Sequence, residues 1–146
     1  MLEHLTKRFT INQREIEKEA IKRVAPKIAE LNTAKQLEVG LTAKGQPVRP
    51  AYADSTKRYK RRKGQPVDRV TLRDTGRFHN TFKVIADDTD IMIQTNLELQ
   101  RGFNLSDHLA GRYKDIFGLT DESITELVTK VKPVFIELVK DALVTQ

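Results

Sequence analysis

The chain has 146 residues, 38% of them hydrophobic and 32% charged, with no cysteine, no tryptophan and a net charge of +6. That length supports one domain with a real core, at roughly one folding unit per ~150 residues. The missing cysteines exclude disulfides and thiolate metal sites, and no apolar run approaches the ~20 residues of a membrane-spanning helix.

Met1 to Thr10 lacks the apolar stretch of a secretory signal, so a protein of the reducing cytosol, or of a particle assembled there, is expected. Asn12 is placed to cap a helix from Gln13, with Glu15 at the position that completes a capping box. Ile16, Ala20, Val24, Ile28 and Leu31 recur at spacings of three and four, one apolar helix face. Pro26 within that pattern predicts a kink or break near Arg23 to Pro26, and Gly40 a stop. Residues 41–66, with Pro47, Pro50 and Pro66, read as an extended basic arm or loop, too long for an ordinary connector. Within it, Asp54 or Ser55 could cap a short helix through Lys63 that ends at Gly64, with Tyr52 and Tyr59 as anchors to the body.

Val67 to Leu72 reads as a strand. Thr81 to Ala86 and Asp90 to Thr95 read as a hairpin joined by Asp87-Asp88-Thr89, with Phe82, Val84 and Ala86 on one face and Ile91 and Ile93 on one face of the partner strand. Ser106 caps a short helix to Tyr113. Thr120 caps the last helix, whose apolar face runs from Ile124 to Leu143 over about six turns and which Pro133 interrupts. The fold class expected is α+β: a small antiparallel sheet of three or four strands packed by long N- and C-terminal helices.

Charge is concentrated in one segment. Residues 44–77 hold 11 Lys and Arg against 3 Asp and Glu, a balance of +8, leaving 15 against 17, or −2, elsewhere. Six of the seven residues from Lys57 to Lys63 are basic: Lys57, Arg58, Lys60, Arg61, Arg62 and Lys63. Such a run can meet phosphates or an acidic protein surface. Contact with ~6 phosphates of duplex DNA would lower log K by about 5 per tenfold rise in salt. No zinc ligands, ribonucleoprotein motif or helix-turn-helix surrounds the run.

Asp74-Thr75-Gly76 is the tripeptide of aspartic proteases, in which two carboxylates share a proton. Here Arg73 and Arg77 flank it, and two copies would hold both carboxylates ionised. The structural alternative is a turn: Asp74 accepts backbone N–H bonds, Gly76 takes positive φ, and Leu72 and Phe78 are buried anchors. His4, His79 and His108 lie in no metal-ligand spacing, with His79 expected at the surface or satisfied in a turn. No phosphate loop or nucleophile elbow is visible, so no catalytic, metal or cofactor residues are assigned.

Leu72, Thr75, Gly76, Phe78 and Thr81 together resemble the Leu-x-x-Thr-Gly-x-(Leu/Phe)-x-x-(Ser/Thr) pattern of phage tail-completion and head–tail joining proteins, the virion-morphogenesis family. The order of elements is similar too, with Phe117-Gly118-Leu119-Thr120-Asp121 standing where the family's last helix begins. Many members carry Tyr-Ala-x-x-His-x-x-Gly before that helix; here only His108 and Gly111 echo it. The resemblance covers roughly residues 66–143. It implies a non-enzymatic virion subunit, assembled in the host cytoplasm, that forms a cyclic homo-oligomer at the neck or tail end. Its expected partners are further copies of itself, neighbouring portal, neck or tail proteins, and DNA passing through the ring, with no membrane. The other reading is a nucleic-acid-binding protein acting through residues 57–63.

Overall fold

The computed structural model describes residues 11–88 and 90–145; expectations for His4 and for Thr89 of the hairpin turn lie outside them. Helix α1 (Gln13–Glu30) starts as its sequence dictates: the Asn12 side chain accepts the Glu15 N–H at 3.4 Å. Ile16, Ala20, Val24 and Ile28 are its buried stripe. The helix does not break at Pro26. Proline leaves the carbonyl four residues back without its N–H, but that residue, Lys22, is exposed and water can serve it.

Irregularity comes later instead. A π-helical turn, Leu31–Gln36, and a 3₁₀ turn, Leu37–Val39, carry the chain to Gly40, whose φ of 80° ends the run. The π turn holds two fully buried amides, Asn32 and Gln36. Asn32 donates to the Ile116 carbonyl at 2.9 Å and accepts the Gly118 N–H at 3.0 Å. Gln36 donates to the Gly118 carbonyl and accepts the Thr120 N–H, both at 2.9 Å. Two side chains thus fix the backbone just before the last helix, α5 (Asp121–Val144). Thr120 then caps α5 through the Ser123 N–H at 3.2 Å.

Helix α5 runs unbroken through Pro133, where the freed carbonyl belongs to exposed Thr129. It packs on α1, and Lys27 bonds Glu126 across the pair at 2.9 Å. Its apolar face is only partly used: Ser123 is its one buried residue, whereas Ile124, Val128, Ile136 and Leu143 are exposed.

The sheet has two strands, β1 (Lys83–Ala86) and β2 (Ile91–Gln94), antiparallel with Val84 opposite Ile93 and Ala86 opposite Ile91. The hairpin matches the sequence reading, and β1 lies on α1. Val67 to Leu72, by contrast, forms no strand. The N–H groups of Thr71 and Leu72 bond the Tyr52 hydroxyl at 3.1 and 3.0 Å, and the Thr71 carbonyl meets His79 Nε2 at 2.8 Å. Side chains have taken the groups a neighbouring strand would need. The molecule is therefore mixed helix and antiparallel sheet, with two strands among the described residues rather than three or four.

Helix α4 (Leu105–Arg112) is capped by Asn104, which accepts the Asp107 N–H at 3.0 Å, and not by Ser106. Ser106 lies buried one position into the helix, where its hydroxyl accepts the Leu97 N–H at 2.8 Å. The main core sits under the loops. Leu37, Val48, Val70, Leu72, Phe78, Phe82, Leu97, Tyr113 and Ile116 form one buried cluster.

Candidate functional site

The 41–66 segment is folded onto the body rather than extended as an arm. Thr42 and Val48 are buried, and helix α2 spans Asp54–Arg62, with Ala53 rather than Asp54 or Ser55 at its N-cap. Helix geometry divides the basic run in two. Thr56, Tyr59, Lys60 and Lys63 recur at three and four, on one side, while Lys57, Arg58, Arg61 and Arg62 fall on the other.

The inner side docks on the Asp74 turn. Lys60 is 4% exposed; its ammonium donates to the Arg73 carbonyl at 2.6 Å and to Gln65 Oε1 at 3.0 Å, and stands 5.1 Å over the Tyr52 ring. Burial holds its pKa below the ordinary lysine value. Lys63 pairs with the Asp74 carboxylate, which also accepts the Tyr59 hydroxyl at 3.2 Å. The hydrogen bond from Lys63 is the main cause holding the Asp74 carboxyl below its usual range. Lys60 and Lys63 are therefore engaged within the chain. On the outer side, Lys57, Arg58, Arg61 and Arg62 form no ion pair among the described residues.

Asp74-Thr75-Gly76 is a turn, as expected, but its partners differ from those expected. The Asp74 carboxylate faces α2 rather than the N–H groups that follow it, and Arg73 reaches Glu38 at 3.3 Å instead of its neighbour. Gly76 has φ 88° and leads into the short helix α3 (Arg77–Asn80). Leu72, Phe78 and Phe82 are buried; Thr81 bonds back to the Phe78 carbonyl at 2.7 Å. Leu72 itself has φ 53°, a left-handed conformation that costs a non-glycine residue about 1–3 kcal/mol. The Tyr52 hydroxyl on its N–H helps hold it there.

His79 is more buried than a surface residue, its side chain 9% exposed. Its Nδ1 faces Glu38 Oε2 at 3.9 Å, and that oxygen has no hydrogen-bond partner among the described residues. Burial is the leading cause that keeps the His79 pKa below its ordinary value. His108 is exposed beside Phe103, with ring centroids 5.4 Å apart, and Gly111 is exposed. Among the described residues no group of three or more histidines and carboxylates is placed to hold a metal ion, and no helix is long and apolar enough to cross a membrane.

Between α2, the Asp74 turn and α4 lies a cleft of about 620 Å³. Leu72, Phe78, Leu97, Leu105 and Leu109 contribute apolar lining, and Arg73, Arg77 and Arg112 contribute cations. Sequence reasoning marked the residues from 72 to 78 but missed the opposite wall, because nothing in residues 97–113 signals which side of α4 turns toward α2. Asn32 and Gln36 were also missed, although a signal existed. They continue the Ile16, Ala20, Val24, Ile28 series at intervals of four, and polar residues on a buried stripe need partners.

The sequence matches no protein-family model, and neither a search of curated proteins nor one of solved structures finds a match.

Proposed function

We propose that this chain is a structural subunit of a tailed-phage virion, without chemistry of its own, that assembles into a ring at the head–tail neck or the tail end. The observation that carries this reading is apolar surface that a lone copy leaves uncovered. Ile124, Val128, Ile136 and Leu143 along α5, and Ile85, Ile91 and Met92 on the hairpin, are all exposed. Exposed apolar patches of this kind mark protein–protein contacts. The motif order supports the same reading. The Thr-Gly turn precedes the hairpin, and Gly118-Leu119-Thr120 precedes the last helix. Sedimentation velocity over a wide concentration range, alone and with portal and tail proteins, is expected to give a discrete large species. A monomer under all these conditions would overturn the proposal.

A second reading, nucleic-acid binding, is favoured by one observation: Lys57, Arg58, Arg61 and Arg62 share the outer side of α2 without ion-pair partners among the described residues. With Lys60 and Lys63 turned inward, four cations remain. Binding to B-DNA would then follow a log K against log salt slope of about −3.6. Fluorescence anisotropy with a duplex probe tests it: no binding near physiological salt eliminates the reading.

A further inference from the structure

We infer that the free edge of β2 pairs with the same edge of a second copy, so that two hairpins join into one antiparallel sheet about a two-fold axis. The inference goes beyond the ring reading and does not rest on it. β1 is the strand that lies on α1, which leaves β2 as the outer strand of the two. Its residues, Ile91-Met92-Ile93-Gln94, include no charge, proline or glycine, and its register with β1 has no bulge. Charges, prolines and bulges are the devices that ordinarily keep sheet edges from pairing. β2 has none of them.

The backbone sets the register. The Asp87 N–H bonds the Asp90 carbonyl at 3.0 Å, so these opposed residues are a hydrogen-bonded pair. Antiparallel ladders alternate bonded and non-bonded pairs. Ile85 and Met92 are then the next bonded pair, while Ile91 and Ile93, opposite Ala86 and Val84, turn their N–H and C=O groups away from β1. No other backbone among the described residues bonds these groups. Two copies in antiparallel order satisfy all of them in one register, with Ile91 of each chain opposite Ile93 of the other. A slip of one residue would set outward groups against inward ones.

That register places Met92 opposite Met92 of the second copy, on the axis, as a non-bonded pair whose side chains approach closely. Side chains alternate across a strand, so Met92 shares the outer face with Ile85, and both are 42% exposed. Ile85 and Met92 of the two copies would form one apolar row across the joined sheet. Ile91, 51% exposed, would lie beside Ile93 of the second copy on the other face. Strand pairing thus covers Ile91, Met92 and the unpaired backbone together, which docking of a helix cannot do. An isologous contact closes at two copies; between rings it would join two rings rather than close one. The edge is four residues long, so pairing is expected to depend on concentration.

Cysteine placement tests this, since the chain has no cysteine of its own. In Met92→Cys the two thiols meet on the axis, where the ~4.5 Å Cα separation of a non-bonded pair suits a disulfide. Mild oxidation of the full chain is expected to give a covalent dimer on non-reducing gels. Gln94→Cys is the control: in the same register it lies about 13 Å along the strand from its equivalent and is expected to stay unlinked. Met92→Lys sets two ammonium groups face to face and is expected to halve the associated mass of the wild type in sedimentation velocity. Both positions are exposed, and far-UV circular dichroism checks that each variant is folded. No linkage at residue 92, or equal linkage at residues 92 and 94, would overturn the contact. So would a wild type that is monomeric at every concentration, or a Met92→Lys variant that associates as the wild type does. The ring reading does not turn on this result, since rings that persist in Met92→Lys would be closed by another contact.

Discussion

Two buried amides decide where the last helix begins. Asn32 and Gln36 each bond the backbone around Gly118 twice, as donor and as acceptor. Replacing Asn32 by alanine strands the Ile116 carbonyl and the Gly118 N–H away from water, at about 1–3 kcal/mol for each group. Asn32→Ala is therefore expected to lose roughly 2–6 kcal/mol in urea unfolding; a loss below the lower figure would show that the loop relaxes around the gap. His79 gives a pH signature. Burial depresses its folded pKa, so as pH falls the unfolded chain takes the proton first. Its contribution is full above the ordinary value near 6.5 and declines as pH drops below it. Thermal melts across that window should show the decline in the wild type and its absence in His79→Gln. Asp74 lies at the other extreme. Its pair with Lys63 is half-exposed, at 48% and 36%, and such pairs contribute about 0–1 kcal/mol. Asp74→Asn should stay within that range and leave assembly intact; lost assembly would give Asp74 a role this account denies.

At the scale of elements, the sequence was most legible where a local rule acts alone. The Asn12 and Thr120 caps, the Gly40 stop and the hairpin follow from side chains within a few residues of the structure they make. The failures have tertiary causes. Pro26 and Pro133 leave their helices whole: the carbonyls they free belong to exposed residues, Lys22 and Thr129, which water can serve. Val67 to Leu72 has strand composition, yet Tyr52, far away in sequence, holds its backbone donors. Tyr52→Phe removes one acceptor shared by two N–H groups, and a cost of about 1–3 kcal/mol is expected in chemical denaturation. A neutral result would mean that the Leu72 conformation is held by packing alone. The basic run was visible from composition, but its division was not. Only the position of the Asp74 turn beside α2 shows that Lys60 and Lys63 face inward while four neighbours face out.

For the whole molecule, the informative contrast is between a closed core under the loops and open apolar surface on α5 and the hairpin. Leu37, Tyr113 and Ile116 are buried within one chain, whereas Val128 is 56% exposed on a helix that spans 24 residues. Under the proposed reading, association would complete that burial, and a cationic segment of +8 set against −2 elsewhere would give it a direction. The candidate site was half legible in the sequence. The Thr-Gly turn and the basic run stood out, while the facing wall from Leu97 to Tyr113 depended on how the chain returns after the hairpin. Negative-stain electron microscopy of the purified wild-type protein, class-averaged at concentrations that favour association, tests the central claim most directly. Closed rings of uniform diameter are expected, and a field of single small particles would rule the ring out.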